Sequence, residues 1–495
     1  MPARYRFYVG IAVLYLLAIT APTLAAVTLQ GDAHVFGGIL INQADGYSYF
    51  AKMYQGWQGG WLFHLPYTAE TSGGAFFHFY YISMGHIARW MELSIPFTYH
   101  FFRVAGSLLL LVALYRFFTM YLQNESARRT AFTLAAVGLG MGWLSPLLNT
   151  LTADLWVAEA YPFLSGFTNA HFPLGLALIL FLALPRQAGF WGAAGTAGLA
   201  FLLGIISPFG VVIALLPWAG AFLWEVGNRR EALRALIAIS VGGLPVLAYD
   251  WLAIRADPQL AAWDAQNITA SPVWWDLLIA LSPVLLLAVF GWRRAPGQLA
   301  GWAALGLALI FIPFELQRRF MLGLYVPLCG LAALGLEAVF KGRRAQRVSR
   351  GALTLLVLPT PLLILLSTFA AMASRDVRLY LSPGELAAYT WLAEAAPADS
   401  LVLASPESGL RLPAFTGQRV IYGHPFETVN AEVELAAVEA FFGGMDAAAA
   451  EAFLAGRGVD YVLWGPREQA LGTLPPMDAI EVFAAGGVQI YEVAP

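Results

Sequence analysis

Long apolar stretches recur along the chain from residue 6 to residue 373, separated by short polar or basic segments. Each is roughly 15–24 residues long, near the length that a helix needs to cross a bilayer. The pattern predicts about eleven transmembrane helices, at 6–27, 98–121, 129–149, 171–185, 189–206, 208–226, 232–253, 275–291, 297–314, 320–340 and 351–373. The first stretch follows Arg4 and Arg6 and ends near Ala25-Ala26, features that a signal peptide shares, but its apolar core is long for that role.

Composition supports a polytopic membrane protein. Of the 495 residues, 59% are hydrophobic and 12% charged, whereas a soluble domain carries about 25% charged residues. The net charge of -3 gives no reason to expect nucleic acid as a partner. The lone Cys329 excludes an internal disulfide framework.

The basic residues predict the orientation. Short loops that hold Lys and Arg, such as 341–350, alternate with acidic ones, and basic loops stay on the cytoplasmic side. The N-terminus is therefore predicted inside and the C-terminus outside. Most acidic residues then fall on the outer side, so we expect the chemistry to face out.

The first outer loop, about 28–97, is far longer than the two to eight residues that usually join bundled helices. Within it, residues 47–57 predict a short helix with Asp45 as its N-cap and Gly59-Gly60 as its stop. An apolar stripe on this helix is typical of a helix lying flat in the lipid headgroup region.

After Ala371 the composition changes, and 375–495 predicts an extracytoplasmic α/β domain beside a membrane domain at 1–374. We predict helices at 383–396, 430–442 and 446–456, and strands at 400–404, 418–422, 460–464, 479–484 and 488–493. The alternation favours a mainly parallel sheet. Polar turns follow three of the strands, at 405–409, 423–428 and 465–468. The last two carry His424, Glu427 and Arg467, which are candidate acceptor contacts because ligands gather at the carboxyl ends of parallel strands. The alternative is that they are ordinary connections.

Four features together resemble the GT-C glycosyltransferases, which include protein O-mannosyltransferases, aminoarabinose transferases and oligosaccharyltransferases. They are Asp45 ahead of the flat helix, a second outer loop at 152–170 with two carboxylates, the late pair Arg318-Arg319, and an outward C-terminal domain. The resemblance implies transfer of a sugar from a polyprenyl phosphate or pyrophosphate carrier on the extracytoplasmic side. Family members often pair two acidic residues in the first loop, but Gly46 follows Asp45 here, which puts metal binding in doubt. Trp274-Trp275-Asp276 matches the letters of an oligosaccharyltransferase signature at the edge of a span, and we treat it as accidental.

Three residues are candidate catalytic groups. Asp45 can act as the base for an acceptor hydroxyl, or simply cap its helix. Glu159 and His171, with Asp154, can help hold a divalent cation such as Mg or Mn at the leaving phosphate, or His171 can contact the phosphate directly. The alternative for this set is a polar cluster that ends two helices.

Arg318 and Arg319 are predicted to bind the carrier phosphate, since guanidinium recognises phosphate bidentately. Snorkelling to lipid headgroups is the alternative. Arg103, beside His100, carries a weaker form of the same argument. Glu70 and the aromatic first loop, with Trp61, are candidate contacts for the acceptor or the sugar.

The predicted function is an integral glycosyltransferase of the plasma (inner) membrane, with a lipid-linked sugar donor and an unidentified acceptor. A transporter or flippase of lipid-linked saccharides would place ionisable residues near the bilayer midplane. The clustering of charges at one surface favours the enzyme. A non-catalytic envelope assembly protein is the third alternative, and it would tolerate Asp45→Asn.

Overall fold

The computed structural model describes residues 3–494, with side chains from residue 5 onward, and most of them are helical. The α-helices in chain order are α1 Ala3–Thr28, α2 Gln43–Gln58, α3 Phe79–Trp90, α4 Ile95–Tyr121, α5 Glu125–Val137, α6 Ser145–Leu148, α7 Pro162–Thr168, α8 His171–Leu182, α9 Phe190–Ile206, α10 Pro208–Trp224, α11 Arg229–Ala256, α12 Pro258–Gln266, α13 Trp274–Leu281, α14 Val284–Gly291, α15 Gly297–Leu309, α16 Tyr325–Val339, α17 Arg343–Val357, α18 Pro359–Ala373, α19 Pro383–Ala395, α20 Pro406–Thr416, α21 Ala431–Phe442, α22 Ala447–Arg457 and α23 Pro466–Gln469. The strands are β1 Val35–Phe36, β2 Tyr380–Leu381, β3 Leu401–Leu403, β4 Arg419–Val420, β5 Tyr461–Trp464, β6 Ala479–Ala485 and β7 Val488–Val493.

Within the described residues, four helical segments are long and apolar enough to cross a membrane. They are Tyr5–Thr28, Ile95–Tyr121, Val226–Ala256 and Arg343–Ala373. Two further pairs of helices qualify if each bent pair is one span: Glu125–Val137 with Gly142–Leu148, bent by 46°, and Trp274–Leu281 with Val284–Arg294, bent by 84°. The shorter apolar helices of 10–17 residues are α8, α9, α10, α15 and α16. The chain is a multi-pass membrane protein, while the number of eleven spans and the N-in orientation stay predictions.

The chain divides into two compact units. The first unit comprises Met1–Pro22, His100–Tyr249 and Ile268–Ala370, and the second comprises Thr23–Tyr99, Asp250–Asn267 and Ala371–Pro495. The C-terminal segment of the second unit starts four residues before the predicted domain at 375–495. The same unit also includes the long first loop and a short stretch around α12.

A five-stranded sheet in the order β4-β3-β5-β7-β6 forms the centre of the C-terminal segment. Successive side chains of a strand point to opposite faces. Val402 therefore joins a core with α19 and α20, whereas Leu401 and Leu403 join a core with α21 and α22. Both faces are covered by helices, as in α/β proteins generally.

The predicted strands and helices of this segment are confirmed to within two residues, and two details differ. The sheet is mixed, because β3 pairs in parallel with β4 and β5 while β7 is antiparallel to β5 and β6. The predicted polar turn at 405–409 begins a helix instead, α20, which contains Gly409 and Pro413. Because glycine and proline both disfavour a helix interior, the sequence pattern did not predict this helix. Gly409 is required because a Cβ there would lie 2.1 Å from the carbonyl oxygen of Tyr422.

Helix α2 begins earlier than predicted. Asn42, in a left-handed conformation, stands at its N-cap, and Asp45 lies in its first turn. Gly59 ends the helix with a φ of 104°, as predicted. Three residues of the apolar stripe, Tyr47, Phe50 and Met53, are buried in protein, whereas Tyr54 is half-buried and Trp57 is exposed.

Helices α2 and α3 pack with very close backbones. A Cβ on Gly56 would lie 2.1 Å from the carbonyl oxygen of Ile82, and a Cβ on Gly85 would lie 1.9 Å from that of Met53. Beside them, β1 pairs antiparallel with β2 and connects the first loop to the C-terminal segment. These contacts fix the position of α2, the helix that carries Asp45.

Candidate functional site

One face of α2 carries three polar side chains at i, i+3 and i+7, namely Asp45, Ser48 and Lys52. Such spacing places them one above another on a helix. Asp45 Oδ2 accepts a hydrogen bond of 2.7 Å from Asn42 Nδ2. The Asp45 side chain remains 34% exposed, so its carboxylate is held in place and accessible.

Lys52 is completely buried and forms an ion pair with Glu427. Its Nζ donates to Glu427 Oε1 at 2.7 Å and to Ser48 Oγ at 2.6 Å. Ser48 Oγ in turn donates to Glu427 Oε1 at 2.6 Å. Burial by itself would raise the pKa of Glu427, but the charge of Lys52 lowers it to about 2. Glu427 is therefore an anion bound to α2.

His424 lies in the same loop as Glu427 and faces Asp45. Its Nδ1 accepts hydrogen bonds from the backbone N–H groups of Phe426, at 3.1 Å, and Glu427, at 3.0 Å. The neutral imidazole must then carry its proton on Nε2. Burial lowers the pKa of His424, which favours this neutral form. Nε2 lies 3.9 Å from Asp45 Oδ1.

The loop that presents His424 and Glu427 is held by its own hydrogen bonds. Thr428 Oγ1 accepts from the backbone N–H groups of Gly423, at 3.3 Å, and His424, at 3.2 Å. Gln266, at the end of α12, accepts a further bond of 3.0 Å from the N–H of Asn430. The sequence prediction placed His424 and Glu427 on a strand-following turn, and the structure confirms that position.

Three buried polar atoms of this region have no hydrogen-bond partner within residues 5–494: Tyr47 Oη, His424 Nε2 and Glu427 Oε2. An unpaired buried polar atom costs about 1–3 kcal/mol. A hydroxyl oxygen placed between His424 and Asp45 would accept from Nε2 and donate to the carboxylate, because 3.9 Å is too long for a direct bond but short enough for one bridging atom.

The other candidates from the first loop lie in defined contacts of the second unit. Trp61 is 43% exposed and stacks on His86, with ring centroids 3.7 Å apart and planes at 20°. Glu70 is exposed, and its Oε2 accepts a hydrogen bond from Gln259 Nε2. Their predicted contacts with acceptor or sugar stay predictions.

In the first unit, Glu159 and Arg318 form an ion pair. Arg318 Nε lies 3.5 Å from Glu159 Oε1, and its guanidinium lies over the ring of Trp156 at 5.0 Å. The Arg318 backbone N–H donates to the carbonyl of Thr269 at 3.1 Å. Glu159 Oε1, Arg318 Nε and Thr269 Oγ1 are all buried without a hydrogen-bond partner in the described part of the chain. This group can therefore accept further polar contacts.

Asp154 contacts a different set of groups. Its buried carboxylate accepts from the backbone N–H of Gly142 and from Thr152 Oγ1, both at 2.7 Å. Burial raises its pKa to about 6. Between residues 3 and 494, no group of three or more His, Cys, Asp or Glu side chains has a geometry that could hold a metal ion. The described residues therefore do not bring Asp154, Glu159 and His171 together as a three-ligand metal site.

Arg103 is buried and connects three helices through hydrogen bonds. Its guanidinium donates to the carbonyls of Ile19, at 3.0 Å, and Gly166, at 2.6 Å, and its Nε donates to His100 Nδ1 at 3.1 Å. These bonds connect α1, α4 and α7 of the first unit and give no support to a contact with a carrier phosphate. His171 begins α8 and is partly buried, while Arg319 follows Arg318 in the turn Gln317–Met321.

Sequence reasoning missed Ser48 and Lys52. The signal was present, because their spacing from Asp45 gives one helical face. In the sequence Lys52 is simply a basic residue of the long first outer loop, and nothing local indicates that Glu427, far along the chain, completes its ion pair.

Comparison with solved structures adds the fold. The apo oligosaccharyltransferase of Archaeoglobus fulgidus superposes with a TM-score of 0.57 at 12% identity, covering 94% of this chain and 69% of that one. The same enzyme in complex with Zn and sulfate gives 0.53 at 14% identity, covering 92% and 67%. This chain has a GT-C-type membrane fold. ArnT from Cupriavidus metallidurans gives 0.48 at 12% identity, covering 98% of this chain and 99% of that one. No protein-family model matches the sequence, and no curated protein matches it.

The GT-C-type fold confirms the resemblance seen in the sequence. At these identities it establishes the architecture and leaves the chemistry to the residues of this chain. The structure brings Asp45 together with His424 and Glu427 in the second unit, and Glu159 together with Arg318 in the first. The predicted meeting of these two groups at one donor stays a prediction.

Proposed function

We propose that the chain is a GT-C-type glycosyltransferase that moves a sugar from a polyprenyl-phosphate-type donor to a hydroxyl acceptor on the extracytoplasmic side of the plasma membrane. The observation that carries the proposal is Asp45, fixed on the first turn of α2 and 3.9 Å from His424 Nε2. The GT-C-type fold supports the general class of reaction and a lipid-linked donor.

In the proposed step, the acceptor hydroxyl donates its hydrogen bond to Asp45 and accepts one from His424 Nε2. Its oxygen forms a bond to the anomeric carbon while Asp45 takes the proton. The bond between that carbon and the phosphate oxygen breaks, and its electron pair stays on the carrier phosphate. Glu427 and Lys52 act by positioning His424.

Arg318 and Arg319 are proposed to bind the carrier phosphate, with His171 as an additional donor. Glu159 would orient the Arg318 guanidinium through Nε, and the unpaired buried atoms beside this ion pair support a polar ligand there. The Zn and sulfate seen in the archaeal oligosaccharyltransferase are ligands of that enzyme and are not assigned to this chain. The described residues do not bring the predicted metal ligands together, so no step is assigned to a metal.

The proposal includes the finer topology. Eleven spans with the N-terminus inside would place the second unit outside the membrane, with the predicted boundary near residue 374. The long first loop and 375–495 would then form the outward part.

The test is transfer of radiolabelled sugar from polyprenyl-phosphate donors to endogenous acceptors in membranes that contain the full chain. We expect Asp45→Asn to reduce turnover by about 10²–10⁴-fold, the usual contribution of a general base, while donor binding is retained. Asn42→Gly, which removes the hydrogen bond to Asp45 and tolerates the left-handed backbone of this position, serves as a milder control. Wild-type turnover in the Asp45→Asn chain would refute the role of Asp45.

A further inference from the structure

A groove of about 490 Å³ opens in the second unit, away from the residues discussed so far. Its walls come from α2, the end of α3, the start of α4 and α20, and include Phe50, Tyr54, Trp57, Arg89, Glu92 and Phe415. Along α2, each residue turns the helix by about 100°. Phe50, Tyr54 and Trp57 therefore lie on roughly the opposite face from Asp45, so this groove is a separate site.

One wall of the groove is aromatic. The rings of Tyr54 and Trp57 lie 5.4 Å apart with an interplanar angle of 39°, and Trp57 is 41% exposed. Trp57 is exposed and Tyr54 is half-buried beside it, whereas Tyr47, Phe50 and Met53 of the same helix are buried. Amphipathic aromatic rings of this kind supply contact area for a partly polar ligand.

Other residues that line the groove are polar and carry both signs of charge. Arg89 and Glu92 are exposed and, within residues 5–494, neither side chain makes a hydrogen bond or an ion pair. Ser94 adds a hydroxyl. A carboxylate and a guanidinium can each bind two neighbouring hydroxyl groups, whereas the pair is electrically neutral and favours neither an anion nor a cation.

Glu92 occupies a position where glycine is preferred. It follows α3 with a φ of 53°, and the N–H of Leu93 closes the helix end by donating to the carbonyl of Ala88 at 2.8 Å. Helices commonly end in this way with glycine, because other residues are strained in the left-handed region. The strain is retained here at a residue whose carboxylate lines the groove, which points to a use for the side chain.

We infer that the groove binds a neutral saccharide, a distal part of the acceptor, at a distance from the reacting hydroxyl. The inference rests on the proposed function. The apolar faces of a pyranose or furanose ring pack on Tyr54 and Trp57, while its hydroxyls bond to Glu92, Arg89 and Ser94. The neutral combination of Arg89 and Glu92 gives no net attraction for a phosphate, and the polar side chains of Arg89, Glu92 and Ser94 disfavour a prenyl tail. Since α2 rises about 1.5 Å per residue, some 18 Å of helix separates the levels of Asp45 and Trp57, and the acceptor must be an oligosaccharide to reach both.

The test uses the full chain in lipid nanodiscs and three probes: mannotetraose, maltotetraose and geranylgeranyl phosphate. Saturation-transfer-difference NMR and calorimetry report binding. We expect at least one tetrasaccharide to bind, with an affinity reduced about tenfold in Trp57→Ala and unchanged in Trp90→Ala, a matched control whose exposed ring does not line the groove.

Variants at Glu92 keep the test independent of folding. Glu92→Gln leaves the backbone as it is and should weaken saccharide binding. Glu92→Gly should weaken binding and also raise the thermal midpoint, because it relieves the left-handed strain. A residue with a merely structural role would not lose binding while gaining stability.

The inference is overturned if no tetrasaccharide binds, if binding survives Trp57→Ala, or if geranylgeranyl phosphate binds in a Trp57-dependent manner, which would make the groove a lipid site. Asp45→Asn separates this inference from the proposed function. If the tetrasaccharide binds but Asp45→Asn transfers sugar as wild type does, the groove is supported and the role of Asp45 as base is refuted. If Asp45→Asn abolishes transfer but no tetrasaccharide binds, the role of Asp45 is supported and the saccharide groove is refuted.

Discussion

Removal of the Lys52 charge should destabilise the second unit severely. Lys52 is 0% exposed and lies 2.7 Å from Glu427 Oε1, and Glu427 is 12% exposed. A carboxyl whose pKa falls from 4.5 to about 2 on folding gains roughly 3 kcal/mol in its ionised form. Lys52→Met keeps the length of the side chain and loses the charge, which leaves a largely buried anion with Ser48 as its remaining partner. We expect a loss of about 3 kcal/mol, within the range measured for broken buried pairs.

The assay is equilibrium unfolding of the detergent-solubilised chain in urea, for Lys52→Met, Glu427→Gln and the double variant. The double variant should lose less stability than the two single losses combined, by about 2 kcal/mol or more, because each single change leaves one charge unpaired. Arg378→Gln is the control, since its ion pair with Asp376 is formed by a 68% exposed arginine and should contribute at most about 0.5 kcal/mol.

The stability of the chain at low pH is a second test of the ion pair between Lys52 and Glu427. The folded pKa of Glu427 lies below its ordinary value, so its stabilisation is complete above about pH 4.5 and is lost as the pH falls towards 2. Glu427→Gln should lack this component. The reasoning is refuted if Lys52→Met costs no more than Arg378→Gln, or if the double variant is simply additive.

Three further changes test the positioning of the site. Burial lowers the pKa of His424, so as the pH falls below about 6.5 the unfolded chain binds a proton at this histidine before the folded chain does, and the folded wild type loses stability. His424→Gln lacks this titration. Between about pH 7.5 and about pH 5.5 its urea midpoint should therefore fall less than that of wild type. Gly85→Ala places a methyl group 1.9 Å from the Met53 carbonyl, and should lower both the thermal midpoint and transfer, with a cost of about 1–3 kcal/mol, because α2 must move. Burial raises the pKa of Asp154 to about 6, so the folded chain binds the carboxyl proton more tightly than the unfolded chain, and stability falls as the pH rises from about 4 to 6. Asp154→Asn should abolish this dependence of stability on pH, measured as melting curves at several pH values.

The periodic parts of the fold were predictable from sequence. Apolar stretches mark the long helices, a short apolar run marks the strand at 400–404, and alternation marks the strand at 488–493, because burial against lipid or a helix layer imposes a regular pattern. Helix α20 was not predictable, since Gly409 and Pro413 are tolerated there by tertiary contacts. The antiparallel end of the sheet was also missed because pairing direction is set by the chain path.

The site was predictable only where a residue type stands out locally. Asp45, His424 and Glu427 were each identified from a helix start or a strand end, but the ion pair with Lys52 depends on contacts between segments distant in sequence. Asp154 shows the opposite case. Its position in an acidic outer loop predicted a ligand, whereas the folded loop uses both oxygens to hold backbone and hydroxyl donors.

The most direct test of the account measures donor binding and turnover in the same nanodisc preparation for Asp45→Asn and Arg318→Gln. If Asp45 is the base and Arg318 binds the carrier phosphate, Asp45→Asn will bind a polyprenyl phosphate as wild type does and transfer almost no sugar. Arg318→Gln will bind it about tenfold or more weakly, since a charged hydrogen bond is lost. Equal transfer by Asp45→Asn and wild type, or unchanged polyprenyl phosphate binding by Arg318→Gln, would contradict the account.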